Sequence, residues 1–383
     1  AQEIRQRIEE TLNMGHLRMN ISTFHSFCSR ILREDCKAIG YPSTFSVIDE
    51  DDQKRIIKDI IKENDFDDKA LKISSCIDYI AARKNKWISP EVDVKQTSNS
   101  YTTHQKALIY QAYENYLHKN FAMDFDDLIL KTIQIFDESA VVLEKWQNRI
   151  RHILVDEFQD VDANQYKLLL QLAGKENEIT VVGDPDQTIY TWRGADINII
   201  LNFSVVFPSC KTISLEQNYR STGNILKIAN QLIEHNTKRI KKNLFTKEEA
   251  GFEIARYTGD NELKEAEYVV NNICDLYDGK NTLYKDCAVL YRTNAQSAPL
   301  EQILMQRGIK YRIFGGLRFY RRMEIKDCIA YLRLLFYFQH LVHITILQVI
   351  LKPDKHIHFL YILCLLHSLH LPKMYLYDTP YTE

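Results

Sequence analysis

The run IRHILVD at 150–156, apolar at Ile150 and continuously from Ile153 to Val155, leads straight into Asp156 and Glu157. Successive side chains of a strand point to opposite faces, so a strand apolar throughout has both faces covered. That is the condition of a central strand in a parallel sheet flanked by helices. A parallel neighbour requires a crossover, usually helical, and the sequence supplies one. A helix is expected over 161–173, a strand over 178–183, a helix near 196–203 and a strand over 211–215. The alternation continues with helix 222–235, strand 253–257, helix 262–277, strand 286–291, helix 297–307, strand 310–314 and helix 323–335. Alternating strands and helices define an α/β chain with mostly parallel sheets, whose ligands bind beyond the carboxyl ends of the strands.

Upstream, residues 1–14 read as an amphipathic helix rather than a signal peptide, followed by a short strand at 19–22 and a helix at 24–36. From Asp49 to about Ala122 the chain is helical and charged with no strong strand run, as in a helical subdomain inserted into an α/β domain. Residues 336–383 differ in composition from the rest, with no glycine, three acidic residues, and six of the twelve histidines. The apolar stretch 356–372 is a poor membrane span because histidines interrupt it, and the tail is expected to be a non-native ending.

A length of 383 residues predicts two to four structural units. A formal net charge of −2 gives no global basic field, so any nucleic-acid surface has to be a local patch. The eight cysteines form no CxxC pair, which argues against a zinc site or a disulfide framework and for a reducing cytoplasm.

The polar ends of the strands carry the candidate chemistry. In ILVDEFQD, Asp156 and Glu157 point in different directions, so one carboxylate can hold magnesium while the other polarises an attacking water. A solvated acidic strand end is the bland alternative. In VVGDPDQ, the amide of Gln187 has both donor and acceptor, and so can reach a terminal phosphate and a water together. In LEQNYRSTGNI, Tyr219 can stack on a purine and Arg220 can act as an arginine finger, although Ser221 and Thr222 read equally as a simple helix cap. For single-stranded nucleic acid the candidates are Phe24, His25, Tyr190, Trp192, Arg193, Arg292 and Asn294, because aromatic faces stack bases and cationic or amide groups hold phosphates.

In order, the motifs TFHSF (23–27), DFDDL (124–128), VDEFQD (155–160), VVGDPDQTIYTWRGAD (181–196), LEQNYRS (215–221), VLYRTNAQS (289–297) and GGLRFYRRMEIKD (315–327) resemble those of the UvrD/Rep/PcrA group of superfamily 1 DNA helicases. The resemblance spans residues 1 to about 335. It implies two RecA-like parallel-sheet domains of the P-loop NTPase type: 1A at 1–49 and 124–212 with a helical insertion 1B at 50–123, then 2A at 213–335. It further implies ATP and Mg2+ as cofactors, with Asp156 on magnesium, Glu157 on water, Gln187 and Arg220 on the γ-phosphate, and Tyr219 on adenine. Phe24, His25, Tyr190, Trp192, Arg193, Arg292 and Asn294 are implied to meet DNA. The implied activity is ATP-dependent 3′-to-5′ translocation on single-stranded DNA and at single-strand/duplex junctions, in repair or replication, in a cytoplasmic, nucleoid-associated protein with no membrane partner.

Two departures accompany the match. The family's GxxxxGK[ST] phosphate loop occurs nowhere in the chain, and its later motifs do not follow residue 335. Both domains are therefore expected to be incomplete, the chain to be a fragment truncated at both ends, and ATP turnover to be absent. A non-catalytic single-stranded DNA-binding remnant is the alternative, and a helicase–nuclease subunit a third reading.

Overall fold

The computed structural model describes residues 2–13, 19–66, 71–174, 177–278, 280 and 282–314. The expected helix at 323–335, the motif at 315–327 and the whole 336–383 tail lie outside the described residues. The chain divides into two compact units, 1–254 and 255–383.

In the first unit, α1 (Gln2–Leu12) and α2 (Phe24–Asp35) precede a two-residue strand, β1 (Ser46–Val47). Four helices then form the inserted stretch: α3 (Glu50–Glu63), α4 (Ile73–Asn85), α5 (Pro90–Gln96) and α6 (Tyr101–Lys119). Strand β2 (Ala122–Met123) returns beside β1 in parallel, so the insertion leaves and rejoins the body at adjacent points. The capping box of Asp49 and Asp52 starts α3, and Ile56, Ile57, Ile60 and Ile61 then fall on one face. These isoleucines pack with Ile80, Ile109, Tyr113 and Leu117 into a core built mainly from the inserted helices and closed by Ala122 of β2.

Downstream come α7 (Phe125–Glu138), α8 (Ala140–Arg149), β3 (His152–Val155), α9 (Ala163–Leu172) and β4 (Glu178–Val181). Strands β3 and β4 run parallel, pairing Val155 with Val181. Helices α2, α7 and α9 share a second core around Ile31, Leu32, Met123, Ile133 and Leu168. Burying each such aliphatic side chain stabilises the fold by about 1.5–3 kcal/mol. The insertion is tied to this body by polar contacts. Trp87 Nε1 donates to Asn164 Oδ1 at 2.9 Å, and Lys84 Nζ meets Asp124, Asp127 and Glu114, each at 2.8 Å. The short helices α10 (Ile197–Leu201) and α11 (Phe203–Val206) and the longer α12 (Gly223–Ile233) complete the described helices of this unit.

The second unit contains α13 (Glu262–Leu276) and α14 (Ser297–Gln306), joined through Ala266, Val270, Ile303 and Ile309.

Several expected strands are not strands in the structure. Residues 19–22, 211–215, 253–257, 286–291 and 310–314 lie outside every described ladder. Ile213, Leu215 and Leu290 are 70%, 80% and 92% exposed. An apolar run becomes a strand only where a neighbour takes its backbone bonds and a layer covers its side chains, and among the described residues these segments have neither. The same reason corrects the reading of 150–156 as covered on both faces. Val155 is buried, but Leu154 is 70% exposed on the other face of the two-stranded ladder.

Candidate nucleotide and nucleic-acid site

Asp156 and Glu157 leave the carboxyl end of β3 exposed to solvent, as the sequence predicts. Glu157 adopts the left-handed region with φ +51°, unusual for a residue with a Cβ and costing on the order of 1–3 kcal/mol. This turn lets the Glu157 amide donate to Asp156 Oδ1 at 3.0 Å.

Behind them sits Gln159, almost wholly buried. Its Nε2 donates to Glu157 Oε2 at 2.8 Å, and its Oε1 accepts the Asp184 amide at 2.9 Å. One side-chain amide thus joins the polar ends of β3 and β4. Gly183 makes room for it: a Cβ there would stand 2.8 Å from Gln159 Oε1 and 3.0 Å from the Phe158 nitrogen. Asp184 then caps the next turn, accepting the Asp186 amide on Oδ1 at 3.0 Å and Gln187 Nε2 on Oδ2 at 2.8 Å. Burial pushes the Asp184 carboxyl up, but the Lys242 ammonium and the Gln187 amide more than offset this and hold it below its usual value. Asp160 moves the other way, raised by burial and then by the charge of Glu157.

Beyond Gln187 the chain makes a second tight turn. Tyr190 and Trp192 stand with ring centroids 6.3 Å apart, tilted by 49°. The Arg193 guanidinium lies 5.5 Å from the first centroid and 4.6 Å from the second. Trp192 is 69% exposed, an open aromatic face beside a cation. The turn ends at Gly194, whose φ of +96° a side chain would resist, and Asp196 then bonds back to the Val161 carbonyl at 3.2 Å. The aromatic turn is therefore anchored to the segment that follows Asp160.

The hydrogen bonds bring Asp156, Glu157, Asp184 and Gln187 into one network through Gln159. Tyr219 and Arg220 lie outside it on an exposed segment, where Asn218 Oδ1 accepts the Arg220 amide at 2.9 Å. Thr222, the N-cap of α12, makes no side-chain capping bond. Phe24 and His25 open α2 but are half-buried. The Phe24 ring packs against two of the cores, and His25 meets Phe125 edge-on at 5.9 Å. Burial lowers the His25 pKa, opposed by Asp162. Arg292 and Asn294 are exposed in the second unit, where Gln296 Oε1 accepts the Arg292 amide at 2.9 Å. Sequence reasoning missed Gln159, because a glutamine between acidic neighbours has no pattern of its own. It also missed Arg239 and Lys242, which reach Asp186 and Asp184 from a turn whose basic run KRIKK was the available signal.

Magnesium bound with phosphates keeps several waters and takes only one or two protein carboxylates. The exposed Asp156 beside Glu157 fits that modest donor set. No cluster of three metal-ligating side chains occurs among the described residues. No described helix is long and apolar enough to cross a membrane.

Strand β3 thus ends in the Asp156–Glu157 carboxylate pair and β4 in a turn carrying Asp184 and Gln187, with the Tyr190–Trp192–Arg193 turn beyond. Comparison with known proteins gives the family. The model of the UvrD/REP helicase N-terminal domain matches residues 1–208 and that of the UvrD-like helicase C-terminal domain matches residues 213–358. The chain is 44% identical over 334 residues to the ATP-dependent DNA helicase PcrA of Bacillus subtilis, covering 87% of this chain and 45% of the relative. It is 44% identical to PcrA of Staphylococcus epidermidis and 42% identical to that of Staphylococcus aureus, in each case over 88% of this chain and 46% of the relative. The chain belongs to the UvrD/REP helicase family, whose domains imply two RecA-like α/β domains. It spans about half the length of the curated relatives it matches.

Proposed function

We propose that the chain carries the carboxylate–glutamine part of the ATP site and part of the DNA track of an ATP-dependent 3′-to-5′ DNA helicase, serving repair or replication. The single observation that carries this reading is the Glu157–Gln159–Asp184–Gln187 network, which continues within a few residues into the exposed Tyr190–Trp192–Arg193 face. In this reading residues 1–49 and 124–212 belong to domain 1A, 50–123 to the insertion 1B and 213–335 to 2A. Asp156 holds magnesium, which when bound neutralises charge on the phosphates. Glu157 accepts a proton from the attacking water, and Gln159 fixes the carboxylate orientation for that transfer. Gln187 contacts the γ-phosphate, Arg220 offsets charge developing there, and Tyr219 stacks on adenine.

Gln187 and Trp192 share one short loop, so a displacement of the amide on hydrolysis is passed to the stacked base. Phe24, His25, Tyr190, Arg193, Arg292 and Asn294 make the remaining DNA contacts, at single strands and at single-strand/duplex junctions. In the cytoplasm such a protein associates with the nucleoid.

A second reading is a single-stranded DNA-binding form without turnover, favoured by the open Trp192 face, which can stack a base without a nucleotide. In that reading the chain binds DNA but does not hydrolyse ATP. Phosphate release from the purified chain, with and without oligo-dT, separates the two readings. DNA-stimulated release that Glu157→Gln abolishes establishes the hydrolase. DNA binding without release establishes the second reading, and failure to bind oligo-dT overturns both.

A further inference from the structure

The turn at 238–242 grips the Gln187 loop through two ion pairs. Lys242 Nζ pairs with Asp184 Oδ1, and Arg239 Nη2 pairs with Asp186 Oδ2 at 2.9 Å. Lys242 Nζ also lies 3.9 Å from Asp186 Oδ2. These are not casual surface pairs: the Asp186, Arg239 and Lys242 side chains are only 7%, 10% and 15% exposed. Arg239 also shapes its own turn, donating to the Lys242 carbonyl at 3.3 Å and to the Ile233 carbonyl at the end of α12 at 3.4 Å. The contacts run from the stretch matched by the C-terminal domain model to the stretch matched by the N-terminal one.

Asp184 is the pivot. One carboxylate oxygen receives Lys242 and the Asp186 amide, while the other receives the side-chain amide of Gln187. A carboxylate is planar, so fixing the first oxygen fixes the direction in which the second presents itself. We propose that Lys242 and Arg239 are positioning residues that clamp Asp184 and Asp186 and thereby set the Gln187 side chain for the terminal phosphate.

Asp186 Oδ1 and Arg239 Nε, on facing members of one pair, are both buried without a hydrogen-bond partner. Such pairs are strongest when bidentate, so this one holds Asp186 through a single contact, and Lys242 is the main grip on Asp184.

The proposal rests on the reading of Gln187 as the γ-phosphate contact, and its test is kept separate from that reading. Hydrogen exchange of the 383-residue chain is measured on peptides covering 183–193 and, as internal reference, on α2 and α7. Lys242→Met should speed exchange at the Asp186 and Gln187 amides by about tenfold, with Lys242→Arg restoring protection and the reference helices unchanged. Arg239→Met should act on the same peptides. Unaltered exchange in the loop, acceleration spread over the reference helices, or failure of Lys242→Arg to rescue would overturn the clamp. Oligo-dT binding by the wild-type chain is measured in parallel. A clamp response without DNA binding would refute the helicase reading while leaving the clamp in place.

Discussion

Two acidic clusters in this molecule look alike in sequence and behave in opposite ways. DFDD at 124–127 and DEFQD at 156–160 each follow a short parallel strand, β2 and β3 respectively. In the first, Asp124 and Asp127 are buried, cap α7 by exchanging backbone bonds, and share the ammonium of Lys84. Tyr113 donates a further hydrogen bond to Asp124 at 3.0 Å. In the second, Asp156 and Glu157 face solvent on a strained turn. Where every oxygen of a carboxylate is taken up by the fold it is part of the scaffold. Where oxygens face water at a strand end they are available to a ligand. Burial and partners, not the motif letters, separate the two cases.

The sharpest way to break this comparison is to remove the cation of the buried cluster. Lys84→Met leaves Asp124, Asp127 and Glu114 without their common partner and should destabilise the chain by about 3–5 kcal/mol, the usual cost of orphaning a buried charge. Urea unfolding measures it. A loss below about 1 kcal/mol, on the order of an exposed pair, would mean that the cluster is solvated and that the contrast fails.

On the exposed side the expected loss is in binding. Trp192→Ala should weaken oligo-dT affinity by about 1–3 kcal/mol, the contribution of one stacked base, with little change in stability because the ring is mostly in water. Fluorescence anisotropy beside a thermal melt checks both halves. A fall in stability with affinity unchanged would assign Trp192 to the scaffold instead.

The buried cluster should also show in the pH dependence of stability. One lysine cannot neutralise three carboxylates, so burial, reinforced by the charge of Asp124, pushes Asp127 up to about 7. Asp124 moves down: burial opposes ionisation there, and the Lys84 ammonium overcomes it. For Asp127 the folded state keeps a proton that the unfolded chain loses at about pH 4. Its contribution to stability is therefore fully present below that value and lost as pH rises toward about 7. Asp127→Asn should flatten this fall, read as the difference between the wild-type and variant pH profiles. Identical profiles would show that Asp127 titrates normally.

What could be read from the sequence follows the same division. The helical character of 49–122 could be read from a charged stretch without strand runs, and the Asp49–Asp52 box and isoleucine face of α3 give the physical reason. The carboxylates at the end of β3 were legible because an apolar run stopped at them. The partner of Asp124 was not, because Lys84 lies 40 residues away at the basic end of α4, where a lysine reads as solvated. Gln159 was invisible for a related reason: its role comes from the approach of β4 and Gly183, which no local pattern encodes. The strands expected at 211–215 and 286–291 erred in the other direction. Their apolar residues express a demand for cover, but a strand also needs a neighbour, and that is a property of the whole sheet.

The smallest expected effect is the most discriminating one. Glu157→Gln keeps the shape of the side chain, removes one charge, and puts an amide opposite the Gln159 Nε2 donor that now bonds Glu157 Oε2. The new side chain still offers one carbonyl oxygen to accept that bond, so the buried glutamine need not lose its partner. Glu157 is exposed, and exposed substitutions away from caps and cores usually change stability by less than about 0.5 kcal/mol. Replacing a carboxylate that the fold does not require should therefore leave the urea midpoint where it was. A loss above about 1 kcal/mol would place Glu157 with Asp124 and Asp127, as an acid whose charge the scaffold needs. In that event the two clusters would differ in exposure but not in kind, and the left-handed turn at Glu157 would have to be explained by folding and not by a ligand.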